Sequence, residues 1–118
     1  MKFNKLLAVY FLLAFCGTAL TRSSMDQCID RVNGIDCITT ESEVEDQRMN
    51  NLYQGLMRRL SKNRQTQLRQ TQRDWLRFRD SNSVFYYDPD GGQNAYVQSV
   101  LKYHEMTKNR ADELQEIW

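Results

Sequence analysis

The segment 72–80 constrains the fold of this chain more than any other stretch, and it reads Gln-Arg-Asp-Trp-Leu-Arg-Phe-Arg-Asp. Trp75, Leu76 and Arg79 share one helical face, because residues three and four positions apart stack over each other on a helix. The same face continues before and after them through Leu68, Gln72 and Ser83. A tryptophan beside an arginine and a glutamine predicts a core-facing helix whose polar groups have dedicated partners, rather than a catalytic centre.

A helix before this segment is predicted by a start signal and an apolar stripe. Thr40 and Glu43 have the spacing of a capping box at a helix N-terminus. The apolar positions that recur after it at intervals of three and four are Met49, Leu52, Tyr53, Leu56 and Leu60. Gly55 interrupts the stripe at a cost of about 1 kcal/mol relative to Ala, and it either lets another backbone approach or is simply tolerated.

Two breaks divide the rest of the chain into helices. Ser61 can cap a second helix over 64–83, and the pattern leaves open whether a sharp turn or a bend precedes it. The segment 85–92 holds the only proline and two adjacent glycines, so it ends that helix, and we expect Phe85 to fold inward. A third helix over 94–117 has a buried stripe formed by Val97, Val100, Leu101, His104, Thr107, Ala111, Leu114 and Trp118. The sequence therefore predicts an all-α fold, a small antiparallel helical hairpin or three-helix bundle.

The N-terminus has the features of a secretory signal peptide. Lys2 and Lys5 precede an apolar run that is too short to span a membrane, and small residues follow it. We expect cleavage after Ala19 and a periplasmic or secreted product, residues 20–118. A lipid anchor at Cys16 is the less favoured alternative, because Phe15 is too bulky for the position before a lipidated cysteine.

Two cysteines remain after cleavage, Cys28 and Cys37. An even count in an exported chain predicts a disulfide, worth roughly 2–3 kcal/mol for so short a loop. A redox or metal pair is disfavoured, because the spacing is not CxxC and no histidine is near in the sequence. We expect the enclosed segment to be a stapled loop or single helical turn that packs Ile29, Val32 and Ile35 against the helices.

Charge and composition exclude several classes of function. Losing Lys2 and Lys5 from the 16 Lys and Arg residues leaves 14, against 15 Asp and Glu, so the processed chain has a net charge near −1. Nucleic acids and anionic membranes require a concentrated basic surface and are therefore not expected partners. His104, the only histidine, lies on an apolar stripe without a nucleophile motif or clustered ligands, so we expect no enzyme activity, metal or cofactor.

Two groups of residues are candidates for a functional role. Arg79 is expected to bond helix-end carbonyls or a carboxylate such as Asp46 or Asp80, and Trp75 to fill the core. The alternative makes Arg79 an anion anchor and Trp75 a stacking surface for a ligand. The loop after the second helix is a candidate partner-contact loop, because scaffolded loops often carry recognition, and its candidate residues are Tyr86, Tyr87, Asp88 and Asp90.

Three motifs in the right order resemble the LprI-like family of small exported bacterial proteins. The first, around an opening cysteine, is matched by Cys37, Asp46, Met49, Asn50, Tyr53 and Leu56, with Met where the family has Leu. The central Gln-x-x-Trp-Leu-x-Tyr-Arg-Asp motif is matched by Gln72, Trp75, Leu76, Phe78, Arg79 and Asp80. The closing motif is matched by Thr107, Arg110, Glu113 and Leu114. Most of these positions are expected to be structural.

One departure from the family is informative. Relatives often have a second disulfide whose cysteines fall at Ser83 and about Lys102 here. Both cysteines are missing together, so the loop between the second and third helices is expected to be looser than in relatives.

The resemblance implies a protein that binds a lysozyme-type hydrolase and inhibits it in the bacterial envelope. Two other functions stay open at this point: an immunity or accessory protein for another envelope toxin, and a structural or stress-related envelope module.

Overall fold

The computed structural model describes residues 23–31 and 33–117, and within them the chain forms helices and no strand. The predicted signal peptide and Cys16 lie outside these residues, as do Val32 and Trp118. The four helices are α1 (Ser24–Ile29), α2 (Gly34–Arg59), α3 (Lys62–Phe85) and α4 (Gly92–Glu116). The all-α prediction is confirmed.

Of the three long helices, α2 and α3 form an antiparallel hairpin, and α4 packs against it. Arg48 Nη2 bonds Asp112 Oδ1 at 2.6 Å, and Tyr103 Oη bonds Asp46 Oδ2 at 3.0 Å, so α4 runs parallel to α2. Ser99 Oγ bonds the carbonyl oxygen of Ser83 at 2.8 Å at the far end of α3, so α3 runs antiparallel to α4. α4 packs mainly against α2 and to a lesser extent against α3.

The break between α2 and α3 is a sharp turn rather than a bend. Leu60 and Ser61 are both extended, with ψ angles of 150° and 158°. The Gln65 side chain donates to the carbonyl oxygens of Met57 and Leu60 at 2.8 and 2.9 Å. It thereby satisfies backbone acceptors that the end of α2 would otherwise leave without partners.

The capping-box prediction at Thr40 is wrong, because α2 begins six residues earlier, at Gly34. Thr40 lies inside the helix, and its hydroxyl donates to the carbonyl oxygen of Asp36 at 2.9 Å. The added turns bury Ile38, which is 2% exposed, beside Cys28. Burial of this kind outweighs a local start signal. A Cβ on Gly34 would lie 2.8 Å from the carbonyl oxygen of Cys28, so this close approach requires glycine.

The Cys28–Cys37 disulfide is confirmed, with a Cα–Cα distance of 5.3 Å. It joins α1 to the first turn of α2, so the enclosed segment runs from the last residue of α1, Ile29, to the start of α2 at Gly34 and is not a separate helix. The expected packing of Ile29 is wrong, since 53% of this residue is exposed. α1 has six residues and buries only Cys28.

The apolar core lies towards the end of the bundle that carries the α2–α3 turn. Its buried members are Met49, Leu56, Leu68, Ala111 and Leu114. Partly buried residues that pack around them include Tyr53, Trp75 and Leu76. The stripes predicted for all three helices therefore meet in one core. A Cβ on Gly55 would meet only an Arg58 guanidinium nitrogen at 3.9 Å, so this glycine is tolerated and no backbone approaches it closely.

The prediction that Phe85 folds inward is wrong, because 82% of this residue is exposed. Ser83 faces the core and is buried. A residue two positions further along a helix is rotated by about 200° and therefore points away from that core.

Candidate functional site

A seam of polar side chains runs through the interior beside the apolar core. We define this polar seam by Asp46, Gln72, Arg79, Tyr103, Thr107 and Arg110. At its centre, Arg79 is 6% exposed and bonds carboxylates on two helices. Its Nη1 lies 2.7 Å from Asp46 Oδ1, and its Nε lies 3.0 Å from Asp80 Oδ1. Both carboxylates considered as partners from the sequence are therefore in place.

Groups on α4 close the network around Arg79. The Arg79 Nη1 also donates to Thr107 Oγ1 at 3.2 Å, and the Tyr103 hydroxyl donates to Asp46 Oδ2 at 3.0 Å. The guanidinium carbon lies 4.0 Å from the centroid of the Tyr103 ring and 5.2 Å from that of Trp75, which are cation–π distances. Burial raises the pKa of Tyr103 to about 12, against the influence of Arg79. The phenol therefore stays protonated and remains a donor.

A second layer of the polar seam lies closer to the apolar core. Arg110 Nε donates to Gln72 Oε1 at 3.0 Å, and the Gln72 amide contacts Met49 Sδ at 3.4 Å. The other side of the Arg110 guanidinium pairs with Glu113 at 2.7 Å. These contacts tie α2, α3 and α4 together at the level of one buried glutamine.

The polar groups of the seam bond one another, so the seam has a structural role. Among the described residues, only His104 Nδ1 is a buried side-chain nitrogen or oxygen without a hydrogen-bond partner. Each charged group of the seam faces an opposite charge within the protein, as buried charges must. Within the same part of the chain, no group of three His, Cys, Asp or Glu residues is arranged to hold a metal ion.

The second candidate region is an exposed group of apolar side chains around the α3–α4 loop. We define this aromatic corner by Val84, Phe85, Tyr86, Tyr87 and Tyr96, whose exposed fractions run from 42% to 82%. The Tyr87 and Tyr96 rings meet edge to face with centroids 6.4 Å apart, and Phe85 and Tyr86 do the same at 5.9 Å. Lys102 Nζ lies 5.4 Å from the centroid of the Tyr86 ring.

The loop between α3 and α4 is held by its own turn. Asp88 Oδ1 accepts from the backbone N–H of Asp90, and the Asp88 carbonyl accepts from that of Gly91, both at 2.9 Å. Gly92 has a φ of +58°, which favours glycine. A Cβ on Gly91 would lie 2.7 Å from the Cβ of Ala95. The backbone is thus fixed, and it presents the two tyrosines at the surface.

The structure brings most of the sequence-predicted motif residues together. The first, central and closing motifs contribute Asp46, Arg79 and Thr107 to one network. Tyr53 is half-buried against the apolar core, whereas Asn50 is exposed and makes no contact with the polar seam.

Sequence reasoning missed Tyr103, whose partner Asp46 lies 57 positions away in the chain. A signal was present, because Tyr103, Thr107, Arg110 and Leu114 recur at intervals of four, three and four. Thr107 and Leu114 belonged to the predicted stripe of the third helix, and Tyr103 lies at the edge of that stripe.

The place of the missing second disulfide holds a hydrogen bond instead. Ser83 is buried, and its carbonyl oxygen accepts from the Ser99 hydroxyl. Lys102 faces Tyr86 and Glu105. The hydrogen bond from Ser99 to Ser83, together with the one from Asn82 Nδ2 to Met106 Sδ at 3.1 Å, links α3 to α4 at this level.

A family model matches most of the chain. The sequence model of a family described as Lysozyme inhibitor LprI matches residues 18–114. No curated protein and no solved structure matches the chain. No helix within residues 23–31 and 33–117 is both long enough and apolar enough to cross a membrane. Because the match covers most of the sequence, and the three motifs of the resemblance lie within it, the chain belongs to the lysozyme inhibitor LprI family.

Proposed function

We propose that this protein is an exported, non-enzymatic binder that inhibits a lysozyme-type murein hydrolase through its aromatic corner and the adjoining loop. The observation that carries the proposal is the exposure of Phe85 at the end of α3 and of Tyr86 and Tyr87 on the loop that follows it, which is held by its own turn. The family to which the chain belongs is named for lysozyme inhibition, which supports this choice of target.

The physics of the corner suits protein recognition. Contiguous exposed apolar side chains mark interaction sites more often than isolated ones do. Tyrosines bury a large area at a low cost in conformational entropy, because each has only two side-chain torsions. A protruding edge of this kind fits a concave cleft, and glycoside hydrolases hold their two carboxyl groups in such a cleft.

The polar seam supports the corner rather than competing with it for this role. Arg79 is 6% exposed, and its Nε and Nη1 already donate to Asp80, Asp46 and Thr107, so burial and these bonds disfavour it as an anion anchor. Tyr103 hydrogen-bonds Asp46 and is only partly accessible. The seam instead positions α4 against α3, and those two helices carry the corner.

The test is lysis of bacterial cell walls by a c-type lysozyme, titrated with the oxidised protein, residues 20–118. We expect dose-dependent inhibition that Tyr87→Ala weakens. Phe78→Ala is the matched control, because Phe78 is also an exposed aromatic of α3 but lies outside the corner. If Phe78→Ala loses inhibition and Tyr87→Ala keeps it, the binding face lies along α3 near Phe78 and not at the corner.

The proposal fails if a large molar excess of helical protein leaves lysis unchanged. Affinity capture from envelope extracts would then separate the two other functions. A specific toxin partner would favour an immunity or accessory protein. Capture of no partner, combined with an envelope defect on deletion, would favour a structural or stress-related module.

A further inference from the structure

A cavity of about 360 Å³ opens beside the aromatic corner, between α2, α3 and α4. The residues of its lining that matter here are Ser42, Glu43, Asp46, Tyr96, Ser99 and Tyr103. Tyr96 belongs to both features, because its ring also meets Tyr87 of the corner. The cavity and the corner are therefore parts of one continuous surface.

We propose that this cavity accepts a lysine or arginine side chain of the protein partner, as the polar anchor of an interface centred on the corner. This inference rests on the proposed function and adds to it the chemistry of the partner, a basic protein surface. The hydrogen-bonding capacity and the charge of the cavity wall both favour such a cation.

Three hydroxyl groups of the wall, those of Ser42, Ser99 and Tyr103, already use their hydrogens. Ser42 donates to the carbonyl of Ile38 at 2.8 Å, and Ser99 donates to that of Ser83 at 2.8 Å. Tyr103 donates to Asp46 at 3.0 Å. A hydroxyl whose hydrogen is committed can offer a ligand only its lone pairs. The wall is therefore rich in acceptors and poor in donors.

The charges of the wall point the same way. Both charged residues that line the cavity are acidic, Glu43 and Asp46. Glu43 is exposed and has no hydrogen bond or ion pair with any described residue. Asp46 bonds Arg79 and Tyr103, yet its side chain remains 33% exposed, with lone pairs to spare.

An acceptor-rich, acidic wall selects a donor-rich cation. A guanidinium carries five N–H donors and an ammonium carries three, and neither has an acceptor. Tyr96 adds an exposed ring face that a cation can approach. A carboxylate or phosphate ligand would meet repulsion here, and an acetamido sugar would find few donors for its carbonyl oxygen.

The first experiment does not depend on any lysozyme. The ¹⁵N-labelled oxidised protein is titrated with L-argininamide, and amide shifts are followed by NMR. We expect saturable shifts at Glu43, Tyr96 and Ser99. Glu43→Gln should weaken binding about two- to fivefold, as for an exposed ion pair. Glu116→Gln is the matched control, because Glu116 is an exposed glutamate at the far end of α4.

Two results of this titration would overturn the inference. One is the absence of saturable shifts at the cavity. The other is equal weakening by Glu43→Gln and Glu116→Gln, which would mean general attraction to an acidic protein. Stronger shifts at the cavity with chitotriose than with L-argininamide would also reject a cationic occupant and favour a glycan site.

The second experiment measures the Kd for a c-type lysozyme by calorimetry. If Tyr87→Ala weakens binding and Glu43→Gln does not, the cavity inference fails while the proposed function stands. If the unmodified protein does not bind lysozyme, the proposed function fails. In that case, only the argininamide titration tests whether the cavity binds a cation. We expect both variants to bind more weakly. We also expect the Kd of Glu43→Gln to depend less on salt than that of the unmodified protein or of Tyr87→Ala.

Discussion

The two ends of the helical bundle are built by different physics. Towards the α2–α3 turn, Leu56, Leu68 and Leu114 pack through non-directional apolar contacts. Towards the α3–α4 loop, the helices meet through Asp46, Arg79 and their hydrogen-bonded neighbours. Apolar burial stabilises many relative placements of helices, whereas a charge-assisted hydrogen bond tolerates few. We therefore infer that the apolar end contributes most of the stability, and that the polar end fixes the register of the helices.

This division has a consequence for function. The aromatic corner and the adjoining cavity both lie at the polar end, where Ser83 and Ser99 join α3 to α4. A surface that must fit a partner needs a rigid support with a single register. The charged network supplies that support, and of its charged groups only Asp46 also lines the cavity.

The largest expected effect is at the apolar end. Leu114→Ala should lower the free energy of unfolding by about 3–4 kcal/mol, because a fully buried leucine leaves both lost burial and a cavity. Leu114 is 1% exposed within the core. Urea unfolding followed by circular dichroism measures the change, with Val84→Ala as the exposed control. Nearly equal stabilities of the two variants would contradict the comparison, because the apolar end would then contribute little to the free energy of unfolding.

The next effect is at the polar end. Arg79→Ala should cost about 2–3 kcal/mol, below the usual cost of breaking a fully buried ion pair, because water can reach Asp46. The Asp46 side chain is 33% exposed. A double-mutant cycle with Asp46→Asn measures the coupling between the two residues. Additive effects of the two changes would show that the ion pair does not act as a unit.

The sequence predicted the helices from the local spacing of apolar residues, and it predicted the disulfide from the even count of cysteines in an exported chain. It also offered Asp46 and Asp80 as candidate carboxylate partners of Arg79, with helix-end carbonyls as the alternative, and both carboxylates are bonded. It failed where contacts distant in sequence decide. Burial of Ile38 moves the start of α2 back to Gly34, and no local pattern encodes that contact. Tyr103 gains its role only from a residue on another helix.

A smaller effect concerns pH. Burial lowers the pKa of His104 below its ordinary value of 6.5, against the opposing influence of Glu45 and Glu41, while Lys108 lowers it further. Below about pH 6.5 the unfolded chain therefore binds a proton that the folded chain resists, so stability should fall as the pH falls. Above that pH, His104 is neutral in both the folded and the unfolded chain, so it no longer lowers the stability of the folded state.

Unfolding free energies at pH 7 and pH 5 measure this effect, and His104→Gln should remove most of the difference. Asp112 does not titrate between pH 5 and pH 7, because hydrogen bonds from Lys108 and Arg48 hold its pKa below the ordinary value of 3.8. An unchanged pH dependence in His104→Gln would assign it to other groups.

The smallest effect on stability should come from the corner itself. Tyr87→Ala removes a side chain that is 47% exposed, so the free energy of unfolding should change by no more than about 0.5 kcal/mol. Inhibition of lysis should nevertheless fall, because this ring offers contact area to a partner. Leu114→Ala should show the opposite pattern, with lower stability but unchanged inhibition wherever the variant remains folded. If Tyr87→Ala instead destabilises the protein as much as Arg79→Ala, the corner belongs to the scaffold, and the division between support and contact surface does not hold.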